Sequence, residues 1–121
     1  MKILVVDDDT GMTDLLKILL SPHSSDILVA NSGLDGINMV KTYNPDVMIL
    51  DLMMPEIDGC QVCKEVRRFS PVPILILSAM DNPGMVAQAL DAGADDYVIK
   101  PVPGGVLIAH LNKLVKRVAE N

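Results

Sequence analysis

Aromatic residues are scarce in this sequence. Its 121 residues include two tyrosines, one phenylalanine and no tryptophan. Stacking of nucleic-acid bases or of a flavin ring uses aromatic side chains, so both kinds of site are disfavoured. No uncharged apolar run approaches the roughly 18 residues that a membrane-spanning helix needs. A strand pattern begins at Met1-Lys2-Ile3 and leaves no room for a signal peptide, so we expect a cytoplasmic domain without a membrane partner.

Positive charge and cysteine are also limited. Ten basic residues against sixteen acidic residues give a net charge of −6, which disfavours direct binding of nucleic acid. Cys60 and Cys63 form one CxxC pair with no second pair. Their spacing continues to Val66 at helical intervals, so we interpret them as buried residues of a helix and not as a redox or metal site.

Short apolar segments alternate with amphipathic helical patterns along the whole chain. Residues 47–50 are four apolar residues directly before Asp51, which is typical of a strand buried on both faces. Five strand-helix repeats joined by right-handed crossovers predict a flavodoxin-like (βα)5 three-layer sandwich, with a parallel sheet of order 2-1-3-4-5. The predicted strands cover residues 3–6, 26–30, 47–50, 74–77 and 97–99, and each precedes a helix.

Polar residues follow four of these strands. Asp7 and Asp8 follow the first strand, and Asp51 follows the third. In the predicted order these strands are neighbours, so the three side chains meet at the crevice where the strand order reverses. Three crowded carboxylates repel one another, and a hard cation such as Mg²⁺ relieves that repulsion. Ser78 and Lys100 end the fourth and fifth strands and suit the oxygens of a phosphoryl group. Together these residues indicate phosphoryl transfer to a carboxylate.

Five motifs resemble the receiver domain of two-component response regulators, with a layout similar to that of the chemotaxis response regulator. The resemblance runs from Lys2 to Arg117, and it implies one receiver domain over residues 1–121. Its motifs are VVDDD at 5–9, DLMMPxxDG at 51–59, LSA at 77–79, GADDY at 93–97 and KP at 100–101.

The resemblance implies a role for each matching residue. Asp51 would accept a phosphoryl group from a sensor histidine kinase or a phosphotransfer protein. Asp7, Asp8, Asp51 and the backbone carbonyl of Met53 would bind Mg²⁺. Lys100 would contact the phosphoryl oxygens, and its bond to Pro101 is expected to be cis.

The resemblance also implies a conformational switch. Ser78 would move toward the phosphoryl group and Tyr97 would turn inward behind it. Together they would alter the surface of the fourth helix, fifth strand and fifth helix. That surface would control a downstream partner, such as a transcriptional effector domain outside this chain.

The sequence departs from the family pattern in three places. Gln88, Val106 and His110 stand where a DNA-binding subfamily usually carries the charged pairs of its dimer, so we expect a weak dimer or none. Met53 and Met80 border the phosphoryl site but cannot orient an attacking water, so we expect slow self-dephosphorylation. Gly104 and Gly105 cost roughly 1 kcal/mol each inside a helix, so we expect a frayed start of the last helix.

Two other functions remain open on the sequence alone. An aspartate-nucleophile phosphatase of the haloacid dehalogenase type would use Asp7, since the acidic triplet after the first strand resembles the start of that family's motif. A non-phosphorylated interaction module of the same fold is the second alternative. The remaining polar candidates receive structural interpretations. Asp9 is a helix-start residue, Asp95 and Asp96 are solvated turn residues, and His23 and His110 are surface residues.

Overall fold

The chain forms a five-stranded parallel sheet between two layers of helices. This computed structural model describes the backbone of residues 1–120 and the side chains of residues 1–117. The strand order is β2-β1-β3-β4-β5, and all four strand pairs are parallel, so the predicted fold class and topology are confirmed. The elements are β1 (Lys2–Val6), α1 (Thr10–Leu20), β2 (Asp26–Ala30), α2 (Gly33–Tyr43), β3 (Val47–Leu50), α3 (Gly59–Arg67), β4 (Ile74–Ser78), α4 (Pro83–Asp91), β5 (Asp96–Ile99) and α5 (Gly104–Glu120).

The three central strands are buried on both faces. Every residue of β3 and β4 is buried, because helices cover both sides of the sheet. Alternate residues point to opposite faces, which divides the core into two clusters. One cluster joins the sheet to α2, α3 and α4, and the other joins it to α1 and α5. This packing fixes the carboxyl ends of β1, β3, β4 and β5 along one edge of the molecule.

Some apolar residues that follow helical spacing in the sequence are exposed. Leu15 and Leu19 of α1 are 47% and 36% exposed, and Leu90 of α4 is 44% exposed. Helical spacing marks an apolar face, but it does not determine how wide a strip of that face the neighbouring elements cover. The apolar spacing of the last helix continues to Val118, whose side chain lies outside the described residues.

The last helix includes both of its glycines. α5 begins at Gly104, so Gly104 and Gly105 adopt helical conformation, and the expected fraying stays a prediction. In the described part of the chain, no helix combines the length and apolar character needed to cross a membrane.

The prediction that the cysteines are buried residues of a helix is confirmed for Cys63, whereas Cys60 is only partly buried. Cys63 lies fully buried on the core face of α3, and Cys60 is half-buried against the same core cluster. Both thiols are free. Burial raises the pKa of Cys63 to about 12, so its thiol stays protonated at neutral pH. A protonated buried thiol is a poor nucleophile and a poor metal ligand.

Candidate functional site

Three carboxylates converge at the carboxyl ends of β1 and β3. Asp7, Asp8 and Asp51 each place an oxygen within 4.8 Å of the others. Asp7 and Asp51 are buried, whereas Asp8 is exposed. The neighbouring strand ends are tied together because the Asp51 amide donates to the Val6 carbonyl at 2.9 Å. The convergence that the strand order predicted is therefore present.

Lys100 reaches the same group of carboxylates from the end of β5. Its Nζ lies 2.9 Å from Asp7 Oδ2 and 3.7 Å from Asp51 Oδ1. The Lys100 amide donates to the Ser78 carbonyl at 2.8 Å, which places the ends of β4 and β5 side by side. The peptide bond from Lys100 to Pro101 is cis, as expected.

The electrostatics of Asp51 follow from this crowding. Burial raises the pKa of the Asp51 carboxyl group, and the neighbouring Asp7 carboxylate acts in the same direction. Lys100 opposes both effects. An anionic Asp51 is thus costly without a further cation, and a divalent ion held by these oxygens would lower that cost.

The loop after β3 is packed closely against the backbone of Asp51 and Leu52. A Cβ added at Gly59 would lie 2.6 Å from the Asp51 carbonyl oxygen and 2.8 Å from Leu52 Cα. The Gly59 amide also donates to the Leu52 carbonyl at 2.9 Å, so the start of α3 is packed against the backbone that carries Asp51. Asp58 and Gln61 close a reciprocal capping box there, which the sequence analysis did not identify.

Ser78 and Tyr97 lie on the adjacent strands β4 and β5, and both form hydrogen bonds with Met80. Ser78 is buried at the end of β4, and its Oγ accepts a hydrogen bond from the Met80 amide at 3.2 Å. The half-buried Tyr97 donates its hydroxyl proton to the Met80 carbonyl at 2.6 Å. Burial raises the pKa of the Tyr97 phenol, against a smaller opposite effect of the Ser78 hydroxyl. Both side chains therefore contact the loop between β4 and α4.

The other residues named from the sequence lie on the loop after β3 and at the starts of two helices. Met53 is 54% exposed on the loop two residues after Asp51. Asp9 caps α1, since its side chain accepts from the Met12 amide, so its interpretation as a helix-start residue is confirmed. Val106 is exposed at the start of α5.

The interpretation as a turn residue was wrong for Asp96, which lies in β5, and the interpretations of Asp95 and His110 missed their partners. Asp95 is more than a solvated turn residue, because it forms an ion pair with Arg67 at 2.8 Å and accepts from the Ile74 amide. Asp96 and His110 form a half-buried pair at 2.6 Å between β5 and α5. These partners are 14 to 28 residues apart in sequence, so the local pattern carried no signal for them.

Asn31 supports the site but was not identified as a functional residue. Its side-chain amide donates to the Asp7 carbonyl oxygen at 2.9 Å and to Thr13 Oγ1 at 3.3 Å. In the sequence Asn31 stands between a strand and a helix, where asparagine is an ordinary turn residue.

Comparison with known proteins agrees with this geometry. The family described as the response regulator receiver domain matches residues 3–112. The transcriptional regulatory protein AfsQ1 of Streptomyces coelicolor is 37% identical over 115 residues, which are 95% of this chain and 51% of that protein. The response regulator MprA of Mycobacterium avium is 39% identical over 118 residues, which are 97% of this chain and 52% of that protein.

A solved structure shows the same likeness. The receiver domain of Francisella response regulator 1452 superimposes with a TM-score of 0.88 at 35% identity, over 97% of this chain and 98% of that one. The chain spans about half the length of the curated relatives it matches. With the strand order, the acidic cluster and the lysine beside it, these matches show that the chain belongs to the response regulator receiver domain family.

Proposed function

We propose that this chain receives a phosphoryl group on Asp51 from the phosphohistidine of a sensor histidine kinase or phosphotransfer protein. The observation that carries the proposal is the position of the Asp51 carboxylate, 3.7 Å from the Lys100 ammonium and within 4.8 Å of oxygens of Asp7 and Asp8. This arrangement brings a nucleophilic oxygen and positive charge to one edge of the sheet.

The residues of the cluster fit a magnesium ion. All three side chains offer carboxylate oxygen, the ligand type that Mg²⁺ prefers, and their mutual repulsion favours a dication. Asp7, Asp8 and Asp51 would hold it, together with the backbone carbonyl of Met53. When bound, the ion supplies positive charge that neutralises the phosphoryl oxygens.

The chain's own residues perform the transfer as follows. An Asp51 oxygen attacks the phosphorus, the phosphorus–nitrogen bond of the donor breaks, and its electron pair stays on the imidazole. The product is an acyl phosphate on Asp51. The Lys100 ammonium contacts one phosphoryl oxygen while the phosphoryl group moves onto Asp51. The Ser78 hydroxyl donates a hydrogen bond to a second phosphoryl oxygen.

The switch uses the contact between Tyr97 and the β4–α4 loop. A phosphoryl group that draws the Ser78 hydroxyl away from the Met80 amide would change the loop whose Met80 carbonyl accepts from Tyr97. The change would pass to the surface formed by α4, β5 and α5. Because the relatives are about twice as long and include a transcriptional regulatory protein, that surface would control a transcriptional effector domain.

The phosphoryl donor would dock on the exposed apolar face of α1. Leu15, Ile18 and Leu19 are 47%, 69% and 36% exposed. Leu15 and Leu19 line an apolar cleft of about 120 Å³ that extends to Lys100 and Pro101 at the site. A donor protein must approach this edge of the sheet, and burial of such a patch supplies binding free energy.

The remaining features complete the proposal. Residues 1–121 act as one receiver domain in the cytoplasm, without binding nucleic acid or membrane by themselves. The domain is a phosphoacceptor and not an enzyme, although it assists its own phosphorylation. Dephosphorylation is slow because Met53 and Met80 cannot orient water.

Dimerisation is weak or absent in this proposal, since Asp96 is paired within the chain with His110. Sedimentation of the protein with a stable phosphoryl mimic measures this directly. We expect a monomer, and a tight dimer would refute the idea.

Incubation with acetyl phosphate and Mg²⁺, followed by intact-mass measurement, tests the function. We expect one phosphoryl adduct on the wild type and none on Asp51→Asn. An aspartate-nucleophile phosphatase would instead lose its adduct in Asp7→Asn and retain it in Asp51→Asn. A non-phosphorylated interaction module would form no adduct in any variant.

A kinase that labels the wild type tests the docking face. Ile18→Asp should slow transfer from the kinase, while labelling by acetyl phosphate stays unchanged. Leu34→Asp, at a similarly exposed position of α2, is the matched control and should behave as the wild type in both reactions.

A further inference from the structure

The loop that carries two of the three clustered acids is held by a side chain from another strand. Asn31 follows β2, 24 residues from Asp7 in sequence, and its Nδ2 donates to the Asp7 carbonyl oxygen at 2.9 Å. The same nitrogen lies 3.3 Å from the hydroxyl oxygen of Thr13, in the first turn of α1. Thr13 is buried, and its hydroxyl donates to the Thr10 carbonyl at 3.0 Å.

These bonds tie together both ends of the acidic loop, residues 7–10. At the start of the loop the Asp7 backbone amide donates to the Ala30 carbonyl at 3.1 Å, and the Asn31 side-chain amide donates to the Asp7 carbonyl. At its end Thr10 is tied to Thr13, and Thr13 is tied to Asn31. A single side-chain amide therefore joins the end of β1, the loop and the first turn of α1.

The loop needs such support because its charges repel one another. One oxygen from each of Asp7, Asp8 and Asp51 lies within 4.8 Å of the others, and Asp8 is the exposed member of the cluster. The orientation of the Asn31 amide is fixed by its partner, since a carbonyl oxygen can only accept a hydrogen bond. The nitrogen thus faces the loop, and an amide nitrogen is not a ligand for a hard cation.

We propose that Asn31 is a positioning residue that holds the loop of Asp7 and Asp8 in the geometry required to bind a divalent cation. This inference rests on the cation site of the proposed function. Asn31 acts through the backbone of Asp7 and does not touch the ion. It resembles the outer-shell hydrogen bonds that orient metal ligands in other proteins, whose removal commonly weakens metal binding 10- to 100-fold.

The test is Mg²⁺ binding by isothermal titration calorimetry, together with unfolding with and without Mg²⁺. The variants are Asn31→Ala, which removes the amide, Asn31→Asp, which replaces the donor by an acceptor, and Thr13→Val, which removes the hydroxyl. Asn38→Ala is the control, because Asn38 is an exposed asparagine on the neighbouring helix α2. None of these residues is proposed to contact the ion.

We expect about 10-fold weaker Mg²⁺ binding in Asn31→Ala, a larger loss in Asn31→Asp and a smaller loss in Thr13→Val. The stabilisation by saturating Mg²⁺ should shrink correspondingly in Asn31→Ala, by about 1.4 kcal/mol for a 10-fold change. A merely structural bond would lower stability equally with and without the ion. Asn38→Ala should match the wild type.

Two results would overturn the inference while the proposed function stands. One is Mg²⁺ binding by Asn31→Ala within twofold of the wild type, and the other is an equal loss of stability with and without the ion. If Asn31→Ala does not fold, Thr13→Val decides by the same criteria. Failure of the wild type itself to bind Mg²⁺ would reject the cation site, and the role of Asn31 with it.

Discussion

Lys100 Nζ lies closer to Asp7 than to Asp51, at 2.9 Å against 3.7 Å. The lysine ammonium is thus held more closely by a proposed cation ligand than by the proposed phosphoacceptor. Neutralisation of Asp7 by a bound cation would weaken this bond and leave Lys100 available for a group on Asp51. The pair therefore links the cation site to the phosphoryl site in the proposed function.

Removal of the Asp51 charge should stabilise the protein in the absence of a divalent cation. Burial and the Asp7 carboxylate raise the pKa of the Asp51 carboxyl group in the folded chain. At pH values between the pKa of the unfolded chain and that of the folded chain, the folded chain therefore binds more protons. Stability must fall as pH rises through that interval. In EDTA we expect Asp51→Asn to be more stable than the wild type at pH 7, with a difference that shrinks toward acid pH.

Urea unfolding between pH 4 and pH 7 measures this effect. Asp91→Asn, at an exposed carboxylate, is the control and should show no comparable stabilisation. A difference that is constant with pH, or that grows toward acid pH, would contradict the prediction. Mg²⁺ should reverse the order, because it stabilises the wild type more than the variant.

Polar side chains at positions 53 and 80 should shorten the life of the phosphorylated form. Asn at Met53 and Glu at Met80 can orient an attacking water, so the double variant should lose its phosphoryl group about 10- to 100-fold faster. The measurement is the decay of the intact-mass adduct after removal of acetyl phosphate. Leu34→Asn, at an exposed position of α2, should leave the decay unchanged. An unaltered rate in the double variant would discard the idea.

Cys63 should resist alkylation in the folded protein. With a pKa of about 12, only about one thiol in ten thousand is ionised at pH 8, and the side chain is fully buried. Iodoacetamide should add at most one group, at Cys60, and a second only after unfolding. The variant Cys60→Ser should add none while folded. Rapid modification of Cys63 in that variant would reopen a redox function for the CxxC pair.

Arg67 should contribute more to stability than its neighbour Arg68. Its guanidinium donates to the Gly93, Ser70 and Val72 carbonyls and to Asp95, which ties α3 to the loops before β4 and β5. Arg67→Ala should cost about 2 kcal/mol of unfolding free energy, since three partly buried carbonyls lose their partner. Arg68→Ala removes only an exposed 3.4 Å pair and should cost less than about 0.5 kcal/mol. Equal costs in urea unfolding would contradict this assignment.

Two glycines should respond to alanine in opposite ways. Gly105 lies inside α5, and a Cβ added there meets no atom of the described residues within 4 Å, so Gly105→Ala should stabilise the protein by roughly 0.5–1 kcal/mol. A Cβ at Gly59 meets the Asp51 backbone at 2.6 Å, so Gly59→Ala should destabilise the protein and displace Asp51. Thermal unfolding measures both effects. A stabilised Gly59→Ala would show that this loop is not close-packed.

The sequence by itself determined the order of the elements and the place where the acids meet. Apolar runs such as residues 47–50 specify buried strands locally, and right-handed crossovers then leave few possible sheets. Once the strand order is known, Asp7, Asp8 and Asp51 must share an edge. Lys100 joins them although 93 residues separate it from Asp7, because both follow strands of that sheet.

Only the tertiary structure decided which polar groups pair across elements and which apolar residues are covered. The contacts of Asn31 with Asp7, of Arg67 with Asp95 and of His110 with Asp96 depend on the register and spacing of packed elements. Hydrophobic periodicity does not encode these quantities. The exposure of Leu15 and Leu19 has the same origin, because an amphipathic helix specifies its apolar face while its neighbours determine how much of that face is buried.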